Sequence, residues 1–119
     1  MTPRALARRT LLTAAPVVIA LAGCGGGGGS EAEIEMRAES FEPSVLTVDA
    51  GESVTFVNES GEDKWPASND HPTHERYPGF DARRVVASGG SWSFTFERRG
   101  RWRYHDHLSP EIEGEIVVR

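Results

Sequence analysis

Short runs of alternating apolar and polar residues dominate the chain after residue 30 and restrict it to β structure. In each run a large aliphatic or aromatic side chain occupies every second position, and turns containing Gly separate the runs. A period of two is typical of strands with one buried face. The alternating positions are Ile34 and Met36, Val54 and Phe56, Trp92, Phe94 and Phe96, and Trp102 and Tyr104, with apolar runs also at Val45–Val48 and Ile116–Val118. Because no stretch of ten residues has a clean helical period, we predict an all-β Greek-key β-sandwich of about seven to eight strands.

The N-terminal residues have the pattern of an export signal that ends in a lipidation site. A basic region with Arg4, Arg8 and Arg9 precedes a dozen apolar residues, Leu11–Ala22. This run is too short to span a bilayer, which needs about 20 residues. It ends in Leu-Ala-Gly-Cys at Cys24, which resembles a bacterial lipobox that is cut before the Cys and lipidated on its thiol. We predict a lipoprotein signal peptide over residues 1–23, cut before Cys24. The alternative is an ordinary signal peptide, with Cys24 present by chance.

The arginine pair of this leader and the residues that follow Cys24 indicate how the domain is exported and attached. Arg8-Arg9 resembles a twin-arginine signal, which would export an already folded domain. Residues 24–30 are predicted to be the lipidated Cys24 and a flexible Gly/Ser tether, and residues 31–119 to be one domain. We therefore expect a lipid-anchored protein of the bacterial cell envelope, either periplasmic or on the outer surface. The pattern does not distinguish which membrane carries the anchor.

The charge and Cys content of the domain exclude several classes of partner and site. Cys24 is the only Cys of the chain, so residues 31–119 contain neither a disulfide nor a thiolate metal ligand. These residues include ten basic and 18 acidic side chains, a formal net charge of −8. An acidic domain of this kind is not expected to bind nucleic acid. The predicted partners are the membrane, through Cys24, and a redox or metal-transfer protein.

All four histidines of the chain lie in two close pairs, His71 with His74 and His105 with His107. The first pair falls in the segment 61–81, whose three Pro and lack of a strand pattern predict a long ordered loop. The second pair ends a predicted strand, where residues two apart share a face. If the loop folds over that face, the four imidazoles form one site for copper, with zinc as the alternative and nickel less favoured. Separate structural roles for the histidines are the competing interpretation.

Carboxylates near the two pairs are candidates for an additional ligand. Asp106 lies between the second pair, and Asp70, Glu75 and Glu111 are close in sequence to one pair or the other. No motif of an enzyme accompanies them: His74-Glu75 lacks the second His of a zinc-protease motif, and there is no glycine-rich phosphate loop. We therefore predict a binding protein with no catalytic residue.

The order of these elements resembles the cupredoxins, the small blue-copper-type sandwiches, over nearly the whole domain. The similarity begins at Phe41-Glu42-Pro43, continues through the Gly-x-x-Val-x-Phe-x-Asn run of residues 51–58, and ends with residues 104–118. Membership of this family implies the Greek-key sandwich predicted above. It also implies a copper-binding loop of the form Tyr-x-Cys-x-x-His-Pro-x-Met-x-Gly.

Three of the metal ligands that the resemblance implies for this loop are replaced. With Tyr104 at the Tyr, Asp106 stands at the Cys, Ser109 at the His and Ile112 at the Met. The family's remaining His would fall near residues 64–68, which contain none. A type 1 copper centre needs a thiolate, so none is expected here. If Tyr104 faces the core, as in the family, Asp106 faces inward and His105 and His107 face outward.

Three functions follow from these patterns. The first is a membrane-tethered cupredoxin-like protein that binds or hands on copper through His71, His74, His105 and His107. The second is a metal-free interaction module that uses the 61–81 loop, which exposed aromatic side chains in that loop would favour and buried ones would disfavour. The third is an electron carrier like ordinary cupredoxins, which the missing Cys opposes.

Overall fold

Eight strands account for all regular secondary structure in the computed structural model, which describes residues 31–119. The predicted signal peptide, Cys24 and the tether lie outside these residues. The strands are β1 Glu31–Met36, β2 Phe41–Glu42, β3 Val45–Val48, β4 Glu52–Asn58, β5 Pro66–Ser68, β6 Ser91–Phe96, β7 Gly100–Asp106 and β8 Ser109–Val118. No helix within the described residues is long and apolar enough to cross a membrane.

The strands form two four-stranded sheets. One has the order β2-β1-β4-β6 and the other the order β3-β8-β7-β5. Each sheet is mixed, because β1 runs parallel to β4 and β3 runs parallel to β8, while the other pairs are antiparallel. The all-β sandwich predicted from the period of two is therefore confirmed.

Two strand boundaries differ from the sequence prediction. The segment 61–81, predicted as a loop, contains β5, because Pro66, Ala67 and Ser68 pair with the end of β7. Strand β8 begins at Ser109, although only Ile116–Val118 had a clear strand pattern. The first residues of β8 are Ser, Pro and Glu, which give no apolar alternation, and a register shift between His105 and Asp106 separates their pairing from the regular part of the β7–β8 hairpin.

Side chains from the alternating positions fill the space between the sheets. Phe56 contacts Phe80, Trp92 and Tyr104, with ring centroids 5.5–5.8 Å apart. The fully buried members of the core are Ile34, Met36, Phe41, Val54, Phe56, Phe80, Val86, Phe96, Tyr104 and Ile116. Residues 31–119 thus contain a complete core of their own.

Tyr104 shows why a glycine is required at position 114. Its ring lies directly against the backbone of Gly114, where a Cβ atom would approach the Tyr104 hydroxyl oxygen to 2.6 Å. Within residues 31–119 this hydroxyl has no hydrogen-bond partner, and burial raises the pKa of Tyr104. The contact fixes Tyr104 in the core. The next residue, His105, therefore points to the opposite face of β7.

Candidate metal centre

The loop that carries His71 and His74 leaves β5 and returns to it. At its start and end, Ser68 N donates to Phe80 O at 2.7 Å and Ala82 N donates to Pro66 O at 3.0 Å. Two aromatic side chains of the loop, Tyr77 and Phe80, are buried in the core. Both ends of the excursion are therefore fixed, and its central residues are held beside the end of β7.

Alternation along β7 and the turn that follows it present His105 and His107 to this loop. Tyr104 is in the core, and the next side chain, His105, is only 1% exposed. It is buried although it faces away from Tyr104, because the loop covers that face of the strand. His107 lies in the turn after β7, where its backbone N–H donates to Trp65 O at 2.7 Å and its ring packs on Trp65 at a centroid distance of 4.8 Å.

All four histidines come together at one point. One potential ligand atom of each lies within 4.8 Å of those of the other three. His71 Nδ1 is 3.4 Å from His105 Nε2, and His74 Nε2 is 3.0 Å from His107 Nδ1. The structure thus brings the two sequence pairs into a single cluster, with each member of the loop pair in contact with one member of the β7 pair.

Hydrogen bonds on the outer side of two rings direct their other nitrogens toward the centre. His74 Nδ1 lies 2.9 Å from Asp81 Oδ2, and His105 Nδ1 lies 2.7 Å from Asn69 Oδ1. Both oxygens are acceptors, so each Nδ1 carries the proton and each Nε2 presents its lone pair to the cluster. Partners of this kind orient metal-ligating imidazoles and make them better donors.

The donor set and its spacing fit a small divalent transition-metal ion. With metal–nitrogen bonds of about 2.0–2.1 Å, four ligands at tetrahedral positions lie about 3.3 Å apart. The observed contacts of 3.0 and 3.4 Å are close to that spacing, while the four ligand atoms as a set lie within 4.8 Å of one another. Four imidazole nitrogens without a thiolate are a donor set suited to Cu(II) or Zn(II). The residues present could therefore hold such an ion once the more widely spaced rings move closer together.

Asp81 connects two parts of the site. Its Oδ1 accepts hydrogen bonds from Trp65 Nε1 at 2.8 Å and from Arg83 N at 2.8 Å, while Oδ2 contacts His74. Burial acts to raise the pKa of Asp81, but the hydrogen bonds from His74, Trp65 and Arg83 outweigh it and lower that pKa overall. The charged carboxylate therefore fixes the His74 ring and the indole that packs on His107.

Burial of imidazoles beside one another affects their protonation. Desolvation, followed by the neighbouring His74, His71 and His107, lowers the pKa of His105 to about 4, against a small opposing effect of Glu113. Burial and the same kind of neighbours lower the pKa of His107. Both rings are thus neutral at pH 7, which is the form that binds metals.

We expect the metal-free domain to lose stability as the pH falls from 7 to 5. The unfolded chain binds a proton at His105 near pH 6.5, whereas the folded chain does so only near pH 4. The unfolded state therefore binds more protons in this range, and the free energy of unfolding decreases on acidification. Urea unfolding at pH 7, 6 and 5 measures the slope. In a His105→Gln variant the free energy of unfolding should change less with pH. An unchanged pH dependence would contradict the assignment of this effect to His105.

Asp106 takes a different role from that of a metal ligand. Its Oδ1 accepts hydrogen bonds from Trp65 N at 3.0 Å and Leu108 N at 3.1 Å, and its Oδ2 lies 3.3 Å from Lys64 Nζ. Lys64 and Asp106 are each 1% exposed, and Lys64 Nζ also donates to Ala38 O at 3.0 Å. The carboxylate is thus occupied by a buried ion pair and is not among the atoms that converge in the histidine cluster.

Sequence reasoning missed three residues that hold this region together. Asn69 and Asp81 support the histidines from outside, and Lys64 pairs with Asp106 beside them. Asn69 and Asp81 are single polar residues at the two ends of the loop excursion, and Lys64 is the sort of residue usually found on the surface. The sequence signal for Asp81 is only its place as an acidic residue at the end of the proline-rich segment 61–81.

The other carboxylates considered as ligands remain outside the cluster. Asp70 pairs with Arg76 on the surface at 3.3 Å, and Glu75 and Glu111 are exposed. The exposure of the aromatic side chains distinguishes a packed loop from a docking loop. Tyr77 and Phe80 are buried, and Trp65 is partly buried. By the criterion given above, this disfavours a docking loop.

Comparison with known proteins identifies the relatives of this chain. The family model of the cupredoxin-like domain matches residues 14–118. A plastocyanin from Scenedesmus fuscus is 34% identical in an alignment of 91 residues that covers 66% of this chain and 86% of the plastocyanin.

Solved structures have the same fold at lower identity. A purple cupredoxin from Nitrosopumilus maritimus has a TM-score of 0.65 and 21% identity, covering 74% of this chain and 99% of its own. An oxidized amicyanin variant has a TM-score of 0.64 and 20% identity, covering 75% and 82%. A copper-containing nitrite reductase from Thermus scotoductus SA-01 has a TM-score of 0.65 and 24% identity, covering 76% of this chain but 22% of the reductase. Residues 31–119 therefore correspond in extent to a complete solved domain.

Proposed function

The chain belongs to the cupredoxin family, and on that premise we propose that it binds one copper ion through His71, His74, His105 and His107 and holds or hands on that ion at the cell envelope. The observation that carries the proposal is the convergence of one nitrogen from each histidine to within 4.8 Å. The four ligands come from a loop and a strand end far apart in sequence, yet they account for every histidine in the chain.

Two arguments favour copper over zinc, one from the donor set and one from the proteins that share this fold. Imidazole nitrogens accept either ion, and Cu(II) binds more tightly than Zn(II) to a given nitrogen site. The nitrite reductase that shares this fold contains copper. Zinc remains the alternative that a competition measurement decides.

The bound copper is expected to differ from that of a blue-copper protein. The only Cys of the chain is Cys24, which precedes the domain, so the histidine cluster has no thiolate. Without the copper–sulfur bond, neither an intense blue colour nor the tuning of a type 1 centre is available. Binding and transfer of the ion therefore suit this site better than the electron transfer of a blue-copper protein.

Attachment to the membrane is the second part of the proposal. Cys24 would carry the lipid, residues 25–30 would form the tether, and the acidic domain of residues 31–119 would stand in the periplasm or at the outer surface. A metal-transfer protein at that surface is the partner that this arrangement implies. The sequence pattern at Cys24 supports this part of the proposal.

Titration of metal-free protein of residues 31–119 with Cu(II), followed by calorimetry and electron paramagnetic resonance, tests the site. We expect one tight equivalent and a non-blue spectrum with couplings to several nitrogens. A Glu75→Gln variant, which removes an exposed carboxylate next to His74, should give the same affinity and spectrum. Absence of saturable binding, or a spectrum dominated by oxygen ligands, would overturn the proposal, and competition with Zn(II) identifies the preferred ion.

A further inference from the structure

We propose that His71 occupies an exchangeable position of the site, which an incoming imidazole donor takes over when the metal is passed to or from a partner protein. This inference rests on the proposed metal site and adds to it a division of labour among the four ligands. His74, His105 and His107 form a fixed three-nitrogen base, and His71 is the ligand that leaves.

Each member of the three-nitrogen base is held by a contact outside the cluster. The His74 ring is fixed by the Asp81 carboxylate at 2.9 Å and the His105 ring by the Asn69 amide oxygen at 2.7 Å. His107 is held by its backbone bond to Trp65 O and by packing of its ring on the Trp65 indole. His74 and His105 are also buried, at 8% and 1% exposure.

His71 lacks such support. It is the one exposed member of the cluster. Among residues 31–119 its side chain makes polar contact with His105 alone, at 3.4 Å, and its ring otherwise lies against the other histidines, with centroids 4.9–6.3 Å away. Its neighbours Asp70, Pro72 and Thr73 are exposed as well. Movement of the His71 ring away from the cluster therefore breaks only its contact with His105.

Ligand exchange at the metal site is therefore expected at the His71 position, on the solvent side of the cluster. Loss of His71 leaves an ion on three oriented nitrogens with one free position on the solvent side, the arrangement typical of sites that accept an external ligand. A neutral nitrogen donor fits that position, because it restores the four-nitrogen set without adding charge. The other three ligands cannot leave so easily, since each would have to break a contact with Asn69, Asp81 or Trp65.

The test compares His71→Ala with His74→Ala in protein of residues 31–119, with imidazole as the probe. We expect His71→Ala to bind one Cu(II) with an affinity about tenfold lower than the parent, and His74→Ala to lose about a further 10–100-fold because an oriented ligand is removed. Millimolar imidazole should restore the affinity of His71→Ala and change its paramagnetic resonance spectrum. It should do neither for His74→Ala, whose vacated position is covered by the loop.

Two controls keep the outcomes distinct. Urea unfolding without metal establishes that each variant is folded, and His74→Gln replaces His74→Ala if the latter is not. Equal losses in the two variants, or no ternary species of His71→Ala with imidazole, would overturn the exchangeable position while the parent still binds Cu(II). Failure of the parent itself to bind Cu(II) would instead overturn the proposed function, and this inference with it.

Discussion

Alanine at both His105 and His107 is expected to lower the affinity of the domain for Cu(II) by about a thousandfold or more. Structural four-ligand zinc sites of zinc-finger peptides gain about 10–16 kcal/mol from metal binding, and on that scale the loss of two ligands removes several kcal/mol. The remaining pair, the exposed His71 and the buried His74, presents two nitrogens with no ligand opposite them on the β7 side. The variant should therefore retain only the weak binding of two histidines.

Unfolding with and without metal separates this effect from a structural one. Saturating Cu(II) stabilises only the state that binds it, so the parent should unfold at higher urea concentration when metal is present. His105→Ala/His107→Ala should unfold at the same concentration with and without metal. Glu111→Gln, which removes another carboxylate considered as a ligand, should behave as the parent. If the double variant kept the full stabilisation by Cu(II), the cluster would not be the binding site.

The convergence of the two histidine pairs could be predicted from the sequence because it depends on simple features. His105 and His107 are two residues apart near a strand end, and His71 and His74 lie in a loop long enough to cross over it. The loop also carries Tyr77 and Phe80, whose burial fixes it to the domain. Apolar side chains in a long loop indicate a packed loop, and that much of the site's geometry follows from hydrophobicity.

Two of the buried contacts beside the histidines could not be predicted, because each joins residues far apart in sequence through a single atom pair. Asn69 and His105 are 36 residues apart, and Lys64 and Asp106 are 42 apart. Such contacts depend on register and not on pattern. The pairing of Pro66 with Asp106 and of Ala67 with His105 places Lys64 and Asn69 on either side of the histidine-bearing end of β7. Strand β5, which creates this register, is three residues long and contains a Pro, so its sequence gives no strand signal.

Asp106 and His105 are adjacent at the end of β7, but their side chains lie in different environments on opposite faces of the strand. The sequence places it between two histidines, which suggested an additional metal ligand. Residues that alternate on a strand point to opposite faces, so the side chain between His105 and His107 is directed away from the metal site. There it meets Lys64, and the domain contains a buried ion pair close to the cluster but separate from it.

Replacement of Lys64 by Met should destabilise the metal-free domain by about 3–5 kcal/mol, because it leaves the carboxylate of Asp106 buried without its counter-charge. A loss of this size is a large part of the 5–15 kcal/mol that stabilises a typical small domain. Urea unfolding followed by circular dichroism, at pH 7 and without metal, measures it as a shift of the midpoint. The side chain of Met has a volume close to that of Lys, so packing changes contribute little.

The double variant Lys64→Met/Asp106→Asn distinguishes the uncompensated charge from lost packing. Asn keeps an oxygen that accepts the hydrogen bonds of Trp65 N and Leu108 N, but it carries no charge that needs Lys64. We therefore expect the double variant to regain part of the stability that Lys64→Met loses, because the buried charge is gone while the amide N–H groups of the new side chain and Ala38 O are left without partners. If the double variant were as unstable as Lys64→Met, the role of Lys64 would lie in its hydrogen bond to Ala38 O and its packing, and not in neutralising Asp106.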